Sequence, residues 1–196
     1  FYGPCFLIDL CELDNEMLPY TKYSFENLFD NKINLEIESS PIWYSDREDY
    51  SPKQIGTKRI EHKEEHGYEV LCGSGKVEGK LIGGCIESIY KATCSDTEET
   101  KICLKYNLLS AEDVKNKILF LETSEEKIEP ERLKEILTSI NSNNLFKNVK
   151  GVILGKPIDE IYYDEYKIIY KDFFFILYIS TLYNVNFGYA VPRCII

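Results

Sequence analysis

The sequence predicts an α/β fold of mostly parallel strands covered by helices, because strand and helix patterns alternate through its second half. Short apolar runs of strand length are separated there by longer segments with helical periodicity. The predicted order is strand 118–121, helix 130–140, strand 152–154, helix 163–178 and strand 182–185. Functional groups in such sheets gather where the strands end, which directs attention to residues 122–123 and 186–189.

The helix over 130–140 is the best-marked element of the chain. Pro130 suits a first-turn position, where its missing N–H has no partner to lose. The apolar residues that follow recur at a spacing of 3.6: Leu133, Ile136, Leu137 and Ile140. One face of this helix should therefore be buried against the sheet.

The chain before residue 117 has weaker signals. Segments 68–72 and 76–82 are predicted as strands around Gly73-Ser-Gly75, and Gly83-Gly84 as the start of a helix through Tyr90. Nearer the N-terminus, a short helix should close at Leu28-Phe29, and 35–38 alternates like a strand.

The predicted organisation has two parts. Residues 45–66 carry almost no large apolar side chains and are expected to form an exposed loop. We therefore assign 1–66 to an interdomain segment with a loop region that carries Trp43, and 67–196 to a C-terminal domain. The chain begins with Phe and has no signal-peptide pattern, so it is interpreted as a piece of a longer protein.

Composition excludes several functional classes. Lys and Arg number 23 against 33 Asp and Glu, giving a net charge of −10, which repels nucleic acid and anionic lipid. The most apolar run, 173–179, is far shorter than the roughly 20 residues of a membrane helix. The 7 cysteines are irregularly spaced and include no C-x-x-C pair, which indicates reduced thiols and a cytoplasmic protein.

Two motifs suggest chemistry that their surroundings do not support. Gly73 to Lys80 resembles a phosphate-binding loop, but its spacing is one residue too long and Leu81 replaces the Ser or Thr that would reach magnesium. His62, Glu65 and His66 match the H-x-x-E-H pattern of a zinc helix, but lie in the most polar part of the chain. We predict no metal and no cofactor, and keep a zinc hydrolase as an alternative that elemental analysis would test.

Glu122 and Trp43 are the two informative single residues. Glu122 directly follows a buried-strand pattern, where an unpaired carboxylate is costly, so a functional charge is favoured over a first-turn helix charge. Trp43, the one tryptophan, precedes the polar loop, and its residues leave core packing and stacking on a planar ligand both open.

Five segments together resemble the LD-carboxypeptidases, and within them the branch of the microcin C self-immunity proteins. Each segment is weak alone, but the five occur in the family's order and approximate spacing. They are Phe1-Tyr-Gly-Pro4, Gly79-Lys-Leu-Ile-Gly-Gly84, Lys117-Ile-Leu-Phe-Leu-Glu-Thr123, Gly151-Val-Ile-Leu-Gly-Lys156 and Asn184-Val-Asn-Phe-Gly-Tyr-Ala-Val-Pro192. The resemblance covers essentially the whole chain.

The resemblance implies a serine peptidase whose N-terminal domain bears the serine and whose C-terminal swivelling β/α domain bears glutamate and histidine. Glu122 matches the glutamate that orients the imidazole, and Trp43 resembles in position a tryptophan that stacks on the nucleotide of an aminoacyl-adenylate-like substrate. Tyr189 stands where the family has histidine, and Cys85 where it usually has asparagine. A phenol with an ordinary pKa near 10 is a poor base for serine.

Three functions are therefore carried forward. The first is a fragment, inactive alone, of a serine hydrolase that cleaves amide or acyl-phosphoramidate bonds in murein peptides or peptidyl-adenylates, with a homodimer expected for the full-length protein. The second is a non-catalytic protein that keeps the groove and binds peptide or nucleotide ligands. The third is the zinc hydrolase described above.

Overall fold

A computed structural model describes residues 2–3, 5, 9–10, 12–13, 16–29, 35–47, 51–106 and 108–196. The helices are α1 (Pro19–Phe29), α2 (Ile86–Thr93), α3 (Glu98–Tyr106), α4 (Ala111–Val114), α5 (Pro130–Ser142) and α6 (Tyr163–Ile176). The strands are β1 (Ile42–Tyr44), β2 (Glu61–Lys63), β3 (Glu69–Cys72), β4 (Leu81–Cys85), β5 (Ile118–Glu122), β6 (Gly151–Gly155) and β7 (Thr181–Val185). Short 3₁₀ turns lie at Pro52–Gln54 and Ile158–Glu160.

Five strands form one sheet in the order β3-β7-β6-β5-β4. Strands β4 to β7 are parallel to their neighbours, and β3 joins the β7 edge antiparallel. The prediction of a mostly parallel α/β sheet is confirmed, as is the alternation of strands and helices after residue 117. Each predicted element there agrees with the structure to within two residues at either end.

The two faces of the sheet bury different residues, because successive side chains of a strand point to opposite sides. Leu119, Leu121, Val152 and Leu154 face helices α2, α5 and α6 in the larger core. The predicted face of α5 supplies four residues to that core, each at most 2% exposed: Leu133, Ile136, Leu137 and Ile140. Burial of such a side chain stabilises by about 1.5–3 kcal/mol.

The opposite face carries a smaller aromatic core. Phe120 of β5 and Phe187, just after β7, meet edge to face with ring centroids 5.8 Å apart. Tyr2 packs on both rings at 5.1 Å and 6.3 Å. Tyr2 is thereby packed against β5, on the same face of the strand as Glu122.

The glycine-rich stretch before α2 differs from its prediction. The strand lies at Leu81–Cys85 rather than 76–82, and Gly83 and Gly84 belong to it instead of opening the helix, which begins at Ile86. At Gly83 a Cβ would overlap the carbonyl of Phe120 on the neighbouring strand. Glycine at this position therefore allows β4 and β5 to approach each other closely.

The phosphate-loop interpretation has no structural basis in the described residues. A phosphate loop connects a strand to a helix, whereas here the segment after Gly73 leads into a second strand. Strands β3 and β4 lie at opposite edges of the sheet. Gly73 and Gly75 adopt positive φ angles of 81° and 85°, as turns require.

The first part of the chain holds a confirmed element and two corrections. The helix ending at Leu28-Phe29 is present as α1, but 35–38 forms no strand. The polar stretch 45–66 is not wholly an exposed loop, because it contains β2, which pairs antiparallel with β1. Residues 48–50 of this stretch lie outside the described part of the chain.

The sequence predicts no membrane helix. Among the residues that the structure describes, none of the helices has both the length and the apolar composition required to cross a membrane.

Candidate functional site

The carboxyl ends of four parallel strands bring the predicted site residues to one edge of the sheet. Cys85 and Glu122 end β4 and β5 and are directly paired in register. Lys156 follows β6, and its N–H donates to the carbonyl of Val185 at the end of β7 (2.9 Å). Tyr189 lies four residues farther along the chain. This edge is the one at which open α/β sheets usually bind their ligands.

Glu122 is buried, with 2% of its surface exposed. The hydroxyl of Tyr2 donates to its Oε1. Tyr2 is itself held by a reciprocal backbone pair with Ile196, of 2.9 Å and 2.8 Å. The other oxygen, Oε2, has no hydrogen-bond partner among the described residues. A buried carboxylate oxygen without a hydrogen-bond partner costs stability, which makes Glu122 a candidate for a functional role.

The surroundings of Glu122 raise the pKa of its carboxyl from 4.5 to about 7. Burial is the main cause, and the negative charge of Glu125 adds to it. The positive charge of Arg193 and the nearby N–H of Tyr189 oppose the rise, although that N–H does not complete a hydrogen bond with Oε2. A carboxyl in this range can exchange a proton near neutral pH.

Residues 186–191, which follow β7 and which we call the Tyr189 loop, lie directly against Glu122. Gly188 has a φ of +89°, and a Cβ there would overlap Oε2 of Glu122. Burial, a hydrogen bond with Glu125, and the charges of Glu125 and Glu122 raise the pKa of the Tyr189 phenol to about 12. The phenol therefore keeps its proton at neutral pH.

Arg193 completes this group, and sequence reasoning missed it. Its Nη2 donates to the carbonyl of Tyr189 (3.2 Å), and its guanidinium lies 6.0 Å from the Tyr189 ring centroid. Its Nη1 donates to Oδ2 of buried Asp9 (2.5 Å). A charge among the apolar C-terminal residues was the available signal. We call Tyr2, Glu122, Tyr189 and Arg193 the Glu122 pocket.

A second polar group lies beside it. The sequence did not predict this group either, although Lys156 ends one of the five segments that resemble the family. Nζ of Lys156, whose side chain is 1% exposed, donates to Glu64 (3.0 Å), Glu160 and Asn184 (3.4 Å). The second oxygen of Glu64 accepts from Asn184 (3.2 Å) and from two backbone N–H groups. We call Lys156, Glu64, Glu160 and Asn184 the Lys156 cluster.

Charge pairing with Lys156 explains why the pKa of the buried Glu64 is low. Burial alone would raise the pKa of the Glu64 carboxyl, but the hydrogen bond and charge of Lys156, with the backbone donors, leave it lowered. The cluster is thus an ion network with satisfied partners, and two carboxylates already neutralise its one lysine.

Trp43 lies at the same edge but is largely covered. It is 8% exposed, its ring is stacked on the imidazole of His62 at 4.0 Å, and Nζ of Lys156 is 5.1 Å from its centroid. Its neighbour Tyr44 donates its N–H to the carbonyl of Val191 (2.9 Å), two residues beyond Tyr189. The structure therefore brings Glu122, Tyr189 and Trp43 to one region.

The arrangement of the zinc motif differs from the helix that it would need. His62 lies in strand β2 and is stacked on Trp43, whereas His66 is stacked on Tyr163 at 4.3 Å. The two imidazoles therefore pack on different rings instead of converging one helical turn apart. Within the described ranges, no three His, Cys, Asp or Glu side chains are grouped to hold a metal.

The described cysteines form no disulfide with one another. The six among the described residues are free. Cys85 lies nearest the site, and burial raises the pKa of its thiol, which disfavours the reactive thiolate.

Known proteins are similar to this chain in sequence and structure. A family model of the LD-carboxypeptidase C-terminal domain matches residues 78–196. The solved structure of an MccF-like protein from Streptococcus pneumoniae, in complex with AMP, is 40% identical, with a TM-score of 0.89; the match covers 100% of this chain and 57% of that one. No curated protein sequence matches.

Two further solved structures share the fold at lower identity. An MccF-like protein from Bacillus anthracis str. Ames is 22% identical, with a TM-score of 0.68 over 90% of this chain and 49% of that one. The microcin C7 self-immunity protein MccF, in complex with aspartyl sulfamoyl adenosine, is 19% identical, with a TM-score of 0.60 over 92% and 51%.

The chain spans about half the length of these solved relatives. Its five-stranded sheet, with the strand ends that carry Glu122 and Tyr189, lies almost wholly in the region that the family model matches. Since that model covers more than half of the chain, the chain belongs to the LD-carboxypeptidase family, of which it contains the C-terminal domain.

Proposed function

We propose that this chain is part of a serine hydrolase that cleaves amide or acyl-phosphoramidate bonds in murein peptides or peptidyl-adenylates. The observation that carries the proposal is the buried Glu122 carboxylate, whose free oxygen faces the loop of Tyr189 at the strand ends. In such a hydrolase an acid orients an imidazole, which takes the proton of the attacking serine and returns it to the leaving group.

The roles of the two residues follow from their surroundings. Glu122 would be the orienting acid, and its unpartnered oxygen is suited to accept from a ring N–H presented by the adjacent loop. Tyr189 stands in the place of the base, but a phenol with a pKa of about 12 accepts no proton from serine at neutral pH. The 196-residue chain alone is expected to be inactive.

The nucleotide part of the substrate would stack on Trp43. Support comes from the relatives, one solved with AMP and another with aspartyl sulfamoyl adenosine. Tyr44, the neighbour of Trp43, is hydrogen-bonded to Val191 beside Tyr189, so a ligand stacked on the indole would lie close to the segment that carries Tyr189. Planar groups gain about 0.5–1.5 kcal/mol from such stacking beyond the area they bury.

The full-length protein tests this proposal. We expect release of D-alanine from a murein tetrapeptide or cleavage of an aminoacyl-sulfamoyl adenosine, each followed by chromatography. A full-length protein that has a serine nucleophile and cleaves neither would contradict the substrate assignment. Light scattering would test the predicted homodimer in the same preparation.

A non-catalytic binding protein is the second candidate, and the raised pKa of Tyr189 favours it. Tyr189→His in the full-length protein separates the two functions. If only the base has been lost, hydrolysis should rise by orders of magnitude, because an imidazole would face the free oxygen of Glu122. Binding of a substrate analogue with no gain in hydrolysis would favour the non-catalytic protein.

A further inference from the structure

The ring of Trp43 that is proposed to receive a nucleotide already carries a planar partner. His62 lies directly opposite Trp43 in the β1–β2 pair, and the two rings are stacked at 4.0 Å with 16° between their planes. Trp43 is consequently only 8% exposed. A purine stacked on the indole would need the space that this imidazole occupies.

Of the two groups that contact the indole of Trp43, Lys156 and His62, Lys156 is the one that cannot easily move. Nζ of Lys156 lies 5.1 Å from the Trp43 centroid and is bound within the Lys156 cluster, where the side chains of Lys156 and Glu64 are 1% and 4% exposed. Moving this lysine would leave buried charges unpaired, which is strongly unfavourable. A ligand therefore cannot approach the indole by displacing Lys156.

The contact with His62 is much easier to change. Its strand is only three residues long, its neighbours Glu61 and Lys63 are exposed, and its ring shares a hydrogen bond with the Ser45 hydroxyl (2.7 Å). A change of side-chain rotamer would break that bond and the stack, while the β1–β2 backbone pairing stays intact.

We propose that His62 shields the ligand face of Trp43, and that the purine of an adenylate binds by taking the place of its imidazole. This inference rests on the proposed function. Each binding event exchanges an indole–imidazole stack for an indole–purine stack, so His62 lowers nucleotide affinity. A ligand without an aromatic base forms no stack with Trp43 and leaves His62 in place, so its affinity does not depend on His62. His62 therefore changes the affinity for nucleotides relative to other ligands, which makes it a specificity-determining residue.

Calorimetric titration of the full-length protein with AMP tests the proposal. His62→Ala should tighten AMP binding about two- to tenfold, the equivalent of one aromatic stack. His62→Phe, which keeps an aromatic shield without the polar edge, should not tighten it. His66→Ala is the matched control, because that imidazole is stacked on Tyr163 and not on Trp43. Affinity for a murein tetrapeptide should be the same in all four proteins.

Weaker or unchanged AMP binding by His62→Ala overturns the shield, since it would mean that the purine stacks on the imidazole or binds elsewhere. Trp43→Leu, which removes the aromatic ring and keeps an apolar side chain, separates this failure from that of the proposed function. If Trp43→Leu weakens AMP binding but His62→Ala does not tighten it, only the shield is wrong. If Trp43→Leu remains folded and binds AMP as the wild type does, or if no protein binds AMP, the nucleotide role of Trp43 is wrong as well.

Discussion

The Glu122 pocket and the Lys156 cluster lie at the same edge of one sheet, but they differ in whether their buried charged groups have hydrogen-bond partners. In the Lys156 cluster both oxygens of Glu64 and the lysine nitrogen have partners. In the Glu122 pocket one carboxylate oxygen and Nε of Arg193 have none among the described residues. The pKa of Glu64 is lowered, while that of Glu122 is raised to about 7.

The difference teaches that burial of a charge does not by itself identify a functional site. A satisfied network such as the Lys156 cluster holds segments in place, here the end of β2 against β6 and β7. An unsatisfied carboxylate costs stability, and persists because the surrounding packing holds it there. The proposed catalytic role belongs to the second kind of group.

The largest effect is expected from Lys156→Met. Loss of the lysine would leave Glu64 buried and without its counter-ion, which typically costs about 3–5 kcal/mol of unfolding free energy. Urea unfolding at pH 7, followed through the emission of Trp43, would measure it.

A double variant sharpens this result. Adding Glu64→Gln to Lys156→Met removes the stranded charge, so part of the lost stability should return. Lys101→Met, which removes an exposed pair with Glu98 (2.7 Å), should cost less than about 1 kcal/mol. Equal losses from Lys156→Met and Lys101→Met would contradict a cohesive role for the cluster.

The sequence predicts the Glu122 pocket better than the Lys156 cluster for a physical reason. Glu122 and Tyr189 both follow strands of the regular α/β repeat, and the ends of parallel strands must meet at one edge. Glu64, by contrast, is 92 residues from Lys156 and lies in a polar stretch whose pattern predicts only solvent. Nothing in local periodicity indicates that such a carboxylate will be buried beside a lysine.

The strand at Leu81–Cys85 shows a related limit. Glycines normally mark turns, so Gly83 and Gly84 predicted a helix start, while their actual role depends on the approach of β5. Arg193 is a third example, because its partner Asp9 lies 184 residues away in sequence and only the fold brings the two side chains together.

The second effect concerns pH and Glu122. A folded-state pKa of about 7 against 4.5 means that the folded chain binds this proton more tightly than the unfolded chain. Below pH 4.5 the group has no effect on stability, and stability falls as pH rises through 4.5 to 7, by roughly 3 kcal/mol in all. Glu122→Gln should remove this decline, which urea unfolding from pH 4 to 8 would measure.

Glu64→Gln provides a comparison of opposite sign. The pKa of Glu64 is lowered, so its charged form adds stability above pH 4.5 that is lost as pH falls. Relative to the wild type, Glu64→Gln should therefore become less stable as pH rises through the acid range below 4.5, and Glu122→Gln more stable as pH rises from 4.5 to 7. Parallel curves for the two variants would mean that the two carboxylates do not differ as described.

The smallest effect is the difference in stability between Gly188→Ala and Gly75→Ala, which distinguishes steric contact with Glu122 from backbone strain. Gly188 and Gly75 have similar φ angles, +89° and +85°, so alanine at either position should cost about 1–2 kcal/mol in strain. Only at Gly188 would the new Cβ overlap Glu122, since nothing lies within 4 Å of a Cβ at Gly75. Gly188→Ala should therefore exceed Gly75→Ala by about 1–3 kcal/mol in urea unfolding.

The pH dependence of the glycine variants identifies the cause of that excess. If the methyl group displaces the Glu122 carboxylate toward solvent, Gly188→Ala should also lose the decline in stability between pH 4.5 and 7, whereas Gly75→Ala should keep it. An excess cost with the decline intact would place the strain in the Tyr189 loop and leave Glu122 where it is. The carboxylate and the loop are then independent, and the direct contact on which the Glu122 pocket depends is wrong.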